Sequence, residues 1–101
     1  MTAPHPLDIH VGAEIDLALL PNHLHEGVRA YIDLGRPTGG FLAAVINGDF
    51  QEAAMRADPI NRLRLDDIFT FFEKHAPTEC HGSPAMRIVW IKRGGLRGEA
   101  A

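Results

Sequence analysis

The stretch DPINRLRLDDIFTFFEKHAP, residues 58–77, decides the fold class. Asp58 followed by Pro59 is a helix-start signal. The carboxylate can accept from first-turn N–H groups, and proline at the first helical position sacrifices no hydrogen bond. Ile60, Leu63, Ile68, Phe71 and Phe72 then recur at helical spacing, widened by Leu65 and Phe69. So wide an apolar stripe needs more than one neighbour and places this helix at the centre of a domain. Ala76-Pro77 ends it. Asp66 and Asp67 are consecutive, point to different sides, and read as a solvated face rather than an acid/base pair.

Moving back along the chain, Asp49 and Glu52 have the capping-box spacing and open a helix through FQEAAMRA, with Phe50, Ala53, Ala54 and Met55 as its candidate inner face. Before it, Thr38 is a candidate cap for a short, almost wholly apolar helix through GGFLAAVIN, stopped by Gly48. Asn22 is a candidate cap for a first helix through HLHEGVRAYIDL, where Leu24, Val28, Tyr31 and Ile32 share a face. Gly35 supplies the left-handed residue that ends this helix, and Pro37 prevents continuation. Residues 1–20 hold no Lys or Arg and read as an arm whose IDLALLP leucines pack on the body.

Moving forward, Ser83-Pro84 repeats the cap-plus-proline device and predicts a last helix through AMRIVWIK. The run Ile88-Val89-Trp90-Ile91 also suits a strand, which would make the fold α+β. The expected fold is therefore all-α, a compact bundle of four to five short helices over residues 21–93, with 94–101 as a flexible tail. The expected core is Leu24, Val28, Tyr31, Phe41, Leu42, Val45, Phe50, Leu63, Ile68, Phe69 and Phe72.

Composition narrows the functional classes. A chain of 101 residues with 46% hydrophobic and 23% charged residues is one globular domain. Its single cysteine excludes an internal disulfide and suits a reducing, cytoplasmic setting. No apolar run is long enough for a membrane span, and the N-terminus lacks a secretory signal. Residues 84–101 set Arg87, Lys92, Arg93 and Arg97 against Glu99, a balance of +3, so the rest of a chain of net charge −3 carries −6. An acidic body is poorly suited to a nucleic-acid backbone; only the C-terminal segment offers the cations for one.

The candidate chemistry is modest. Backbone N–H groups at Thr38-Gly39-Gly40, with Arg36 beside them, could hold a phosphate or carboxylate. The turn lacks the Lys-Ser/Thr pair of a P-loop and any preceding strand, so a tight corner between helices is the simpler reading. Arg56, Asn61 and Arg62 flank the Asp58-Pro59 corner and could take a partner's anion, or equally fix that corner through local hydrogen bonds. His23 and His25 face different ways on a helix, and His75, Cys80 and His81 lack the paired spacing of a structural zinc site. Cys80 would need a distant base to serve as a nucleophile and reads as inert. Neither a metal nor a cofactor is expected, and no catalytic set is visible. Ile88, Trp90 and Ile91, with Lys92 and Arg93, form a candidate interface patch, including one for a homodimer.

One pattern runs across Tyr31 to Trp90: Pro37, Gly39 to Leu42, Ala44-Val45, Asp49, Arg56 to Asp58, Asn61-Arg62, Ala76-Pro77, Gly82 to Pro84 and Trp90. It resembles a group of short proteins encoded in tailed phages and prophages. The segment around Trp90 departs from that pattern in being more β-branched and basic. The resemblance implies a small non-enzymatic protein that binds a host defence complex, as anti-CRISPR proteins do. Two other expectations stand beside it: a small-ligand or nucleotide binder using the Arg36–Gly40 turn, and a DNA-associated accessory protein acting through the basic C-terminal segment.

Overall fold

A computed structural model describes residues 15–100, without the side chains of residues 99 and 100. The arm expected over residues 1–20 therefore lies outside the described residues up to residue 14. The described chain is all-α: α1 His25–Leu34, α2 Gly40–Asn47, α3 Phe50–Arg56, α4 Pro59–Leu63, α5 Leu65–Lys74, α6 Pro84–Arg93 and α7 Gly95–Ala100. Short 3₁₀ turns at Asn22–Leu24 and Thr78–Cys80 precede α1 and α6. There is no strand among the described residues, so Ile88 to Ile91 are helical. Ser83 and Pro84 start that helix as expected, the Ser83 hydroxyl oxygen accepting from the Met86 N–H at 3.1 Å.

Several helix boundaries follow the sequence signals directly. Gly35 and Gly48 end α1 and α2 in the left-handed conformation. Asp49 accepts from the Glu52 N–H at 3.0 Å and Asp58 from the Asn61 N–H at 2.7 Å, opening α3 and α4. Each such cap satisfies a donor that the helix itself leaves unpaired.

Others differ. Asn22 caps nothing; Pro21 precedes a 3₁₀ turn there. Thr38 is not the cap of α2 either, because Gly39 occupies that position and the Thr38 hydroxyl donates to the Gly39 carbonyl at 3.0 Å. The long helix after Asp58 divides at Arg64 (φ −110°, ψ 18°) into α4 and α5. No glycine or proline marks this break. Instead the Arg64 guanidinium donates to the Leu19 carbonyl at 2.8 Å and to Asp67 at 3.1 Å, tying the incoming segment to the joint. Residues 95–100, expected to be tail, form α7 packed along α1.

The core gathers around α2, which touches α3, α5 and α6. Leu42, Ala44, Val45 and Ile46 of α2 meet Val28, Tyr31 and Ile32 of α1, Leu65, Ile68, Phe71 and Phe72 of α5, and Trp90 of α6. Leu17, Leu20 and Leu24 close one side, so the arm's leucines do pack on the body. Each such side chain contributes roughly 1.5–3 kcal/mol when fully buried. The expected core fails at two residues: Phe50 is half exposed against Phe69, and Leu63 is 88% exposed. Phe41 and Phe69 are only partly buried, and Met55, a candidate for the inner face of α3, is 71% exposed.

One seam closes the molecule with particular economy. The Tyr31 hydroxyl donates to the Cys80 carbonyl at 2.6 Å, and the Trp90 indole N–H donates to the Tyr31 carbonyl at 2.9 Å. Both large rings are thus buried with their polar atoms satisfied. At the end of α1 the backbone of Gly35 meets that of Gly95. A Cβ at Gly95 would fall 2.5 Å from the Gly35 nitrogen and 2.6 Å from the Asp33 carbonyl. Gly95 also has φ 72°, so two separate constraints demand glycine there.

Candidate functional site

Helix α6 has one side fixed in the core and the other in solvent. Its inner side is fixed: Trp90 is 1% exposed, Ile91 packs on the core, and Arg87 donates to the Asn47 side-chain oxygen at 2.8 Å. Trp90 therefore does not belong to an interface patch. Bonded through its indole N–H to the Tyr31 carbonyl, it is the largest fully buried side chain in the described structure. Arg93 is also occupied, its guanidinium 4.5 Å from the Trp90 ring centre and its Nε donating to the Gly95 carbonyl at 3.0 Å.

The outer side is different. Ala85, Ile88, Val89 and Lys92 stand at positions i, i+3, i+4 and i+7, which is one face of a helix. All four are exposed, with Ile88 at 45% and Val89 at 64%. The Lys92 side chain has no ion pair or hydrogen bond among the described residues. Sequence reasoning found Ile88 and Lys92 but assigned Trp90 and Ile91 to the same patch. It missed Val89, because a run of four apolar residues does not reveal which of them face outward until the helix phase is known.

The second candidate group separates into two places. Arg56 lies over the start of α2: its Nη1 is 2.7 Å from where a Cβ on Gly40 would sit, so Gly40 makes room for it. Here the structure joins Arg56 to the Arg36–Gly40 turn. The charge, however, is already matched. Arg56 Nε is 2.5 Å from the Glu52 carboxylate, and the groove of about 260 Å³ beside it is lined by Gly40, Asn47, Asp49, Glu52 and Arg56. Two carboxylates with one guanidinium offer little attraction to an added anion. On the other side of the turn Gly39 is open, with nothing within 4 Å of a Cβ built on it, and the Arg36 side chain is exposed with no ion pair or hydrogen bond among the described residues.

Asn61 and Arg62 lie at the α4 corner instead. Asn61 is only 5% exposed, so it cannot touch a partner directly, and its side-chain oxygen has no hydrogen-bond partner. Arg62 lines an apolar groove of about 330 Å³ with Ala57, Pro59 and Leu63. Nearby, His23 Nε2 lies 3.5 Å from the Asp58 carboxylate, linking the entry to α1 with the start of α4.

Titratable groups in the interior are set for inertness. Burial pushes the Cys80 thiol up to about 12, and burial with the neighbouring Cys80 raises the Tyr31 hydroxyl far above its ordinary value. A thiol that stays protonated is no nucleophile at neutral pH. Burial lowers the His81 pKa, with Glu73 partly opposing it, and its ring lies 5.8 Å from that of Phe72. Among the described residues, no cluster of three or more histidine, cysteine and acidic groups could hold a metal ion, and no helix is long and apolar enough to cross a membrane. No family model, curated protein or solved structure matches this chain.

Proposed function

We propose that this chain is a non-enzymatic binding protein, of phage or prophage origin, that inhibits a host defence complex by stoichiometric attachment through the outer face of α6. The observation that carries the reading is the exposed stripe of Ala85, Ile88, Val89 and Lys92 on a helix whose opposite face is locked by Trp90. A rigid helix presenting two β-branched side chains and a cation gives up little conformational entropy on binding. It suits a partner with an apolar groove and an acidic rim.

The cations of the C-terminal segment favour this reading over nucleic-acid binding. Arg87 is held by Asn47, Arg93 by Trp90 and Gly95, and Arg97 lies 3.8 Å from Asp33. Lys92 alone among these four stands without a partner, too few for a phosphate backbone. A small-ligand role at the Arg36–Gly40 turn draws support from the open Gly39 and the unpartnered Arg36. Its test is a thermal-shift panel of phosphorylated ligands, where a shift lost in Arg36→Ala would support it.

The primary reading is tested by co-expressing the chain with an active defence system and measuring interference, alongside binding to the purified effector subunits. Val89→Asp should abolish both while leaving the melting temperature unchanged. Full interference with every defence system tried, and no bound effector subunit, would remove the proposal.

A further inference from the structure

The corner at α4 leaves large apolar side chains uncovered. Leu63 is 88% exposed and Ile60, three residues earlier on the same helix, is 56% exposed. Leu63 stands at the edge of the groove formed with Ala57, Pro59 and Arg62. Thus one small surface contains both a protruding apolar side chain and an apolar recess of about 330 Å³, large enough for a leucine side chain. A surface that holds both halves of a complement is what a two-fold interface requires, since each residue there meets the other's counterpart.

The charges fit the same arrangement. Arg62 is exposed at the groove, and Asp66, four residues further along, is exposed as well. Neither side chain has an ion pair or hydrogen bond among the described residues. A two-fold axis through the corner would run the two copies in opposite senses and bring Arg62 of each toward Asp66 of the other. A single-sign patch would repel its own copy, whereas this one is self-complementary.

We infer that the chain forms a two-fold homodimer in which Leu63 of each copy enters the Ala57–Pro59–Arg62 groove of the other, flanked by reciprocal Arg62–Asp66 pairs. The homodimer expected at Ile88 and Trp90 is thereby moved to a different helix, leaving α6 free in each copy. The inference does not depend on the reading of α6: loss of defence binding without change in assembly would defeat that reading alone.

Sedimentation equilibrium of the full chain, over about 5 µM to 1 mM, reads the assembly directly; a contact this small should give a dimer dissociating at tens to hundreds of micromolar. Leu63→Asp and Leu63→Ser should both be monomeric throughout with unchanged melting curves, because the side chain contributes nothing to the monomer's core. Arg62→Asp and Asp66→Arg should each weaken the dimer about tenfold, and the double reversal should restore it. A monomer at every concentration, a dimer indifferent to Leu63→Asp, or a double reversal no better than the single ones would overturn the inference.

Discussion

The seam between α1 and α6 and the corner at α4 use similar residues to opposite effect. At the seam Tyr31 and Trp90 disappear from solvent, each with its polar atom bonded to a backbone carbonyl, and Gly35 and Gly95 bring two chain segments into backbone contact. At the corner Ile60 and Leu63 remain in water although both continue the stripe of Ile68 and Phe72. Apolar character is equal; what differs is the availability of a covering element. α1 gains α7 alongside it, while the five-residue α4 packs mainly on α5, which directly follows it. An apolar side chain is buried only where a neighbour can reach it, and hydrophobicity in the sequence carries no information about that reach.

The comparison is broken most severely by Trp90→Ala. Removing this ring from the seam should cost about 3–5 kcal/mol, a large part of the stability of so small a domain, read by urea denaturation. Gly95→Ala should follow at about 2 kcal/mol or more, because the added Cβ meets backbone on two sides and the residue has positive φ. Tyr31→Phe should cost about 1–3 kcal/mol, since it leaves the Cys80 carbonyl buried without its donor. Leu63→Ser, the matching change at the corner, should alter monomer stability by less than ~0.5 kcal/mol. If Leu63→Ser destabilised the monomer as Tyr31→Phe does, the contrast between the two regions would be lost.

Two further measurements sharpen it through chemistry rather than stability. Cys80, at the seam, should resist a thiol reagent at pH 8 in the native protein and react promptly once urea unfolds the chain. His81 binds its proton less readily folded than unfolded, because burial disfavours the imidazolium. Its contribution to stability is therefore complete above the unfolded value of 6.5 and is lost as pH falls below it toward the folded pKa. The urea midpoint should drop between pH 7.5 and 5.5, and His81→Gln should remove part of that drop.

Much of the fold was legible because its signals are local. Asp58-Pro59, Ser83-Pro84, Asp49 with Glu52, and the glycines at 35 and 48 act within one turn of themselves, and each sits where it was expected. The failures share a cause. Arg64 breaks the long helix by bonding to Leu19, 45 residues away, and nothing near Arg64 announces that. Gly94 ends α6 in the left-handed conformation, yet α7 follows because α1 is there to receive it. In the candidate site, Ile88 and Lys92 were legible as surface, whereas the reversal of Trp90 and the exposure of Val89 depended on helix phase. Asn61 was singled out for its polarity, but the corner turned it inward.

By itself the sequence determined most of the helices and the caps and stops that divide the chain, since each rests on residue type and short spacing. The tertiary structure alone decided which apolar residues are core and which are surface. It sent Trp90 to the seam and left Leu63 and Val89 in solvent. The physical reason is that burial belongs to pairs of elements: the stabilisation appears only when a second surface excludes water from the first, and that partner lies far away in the chain.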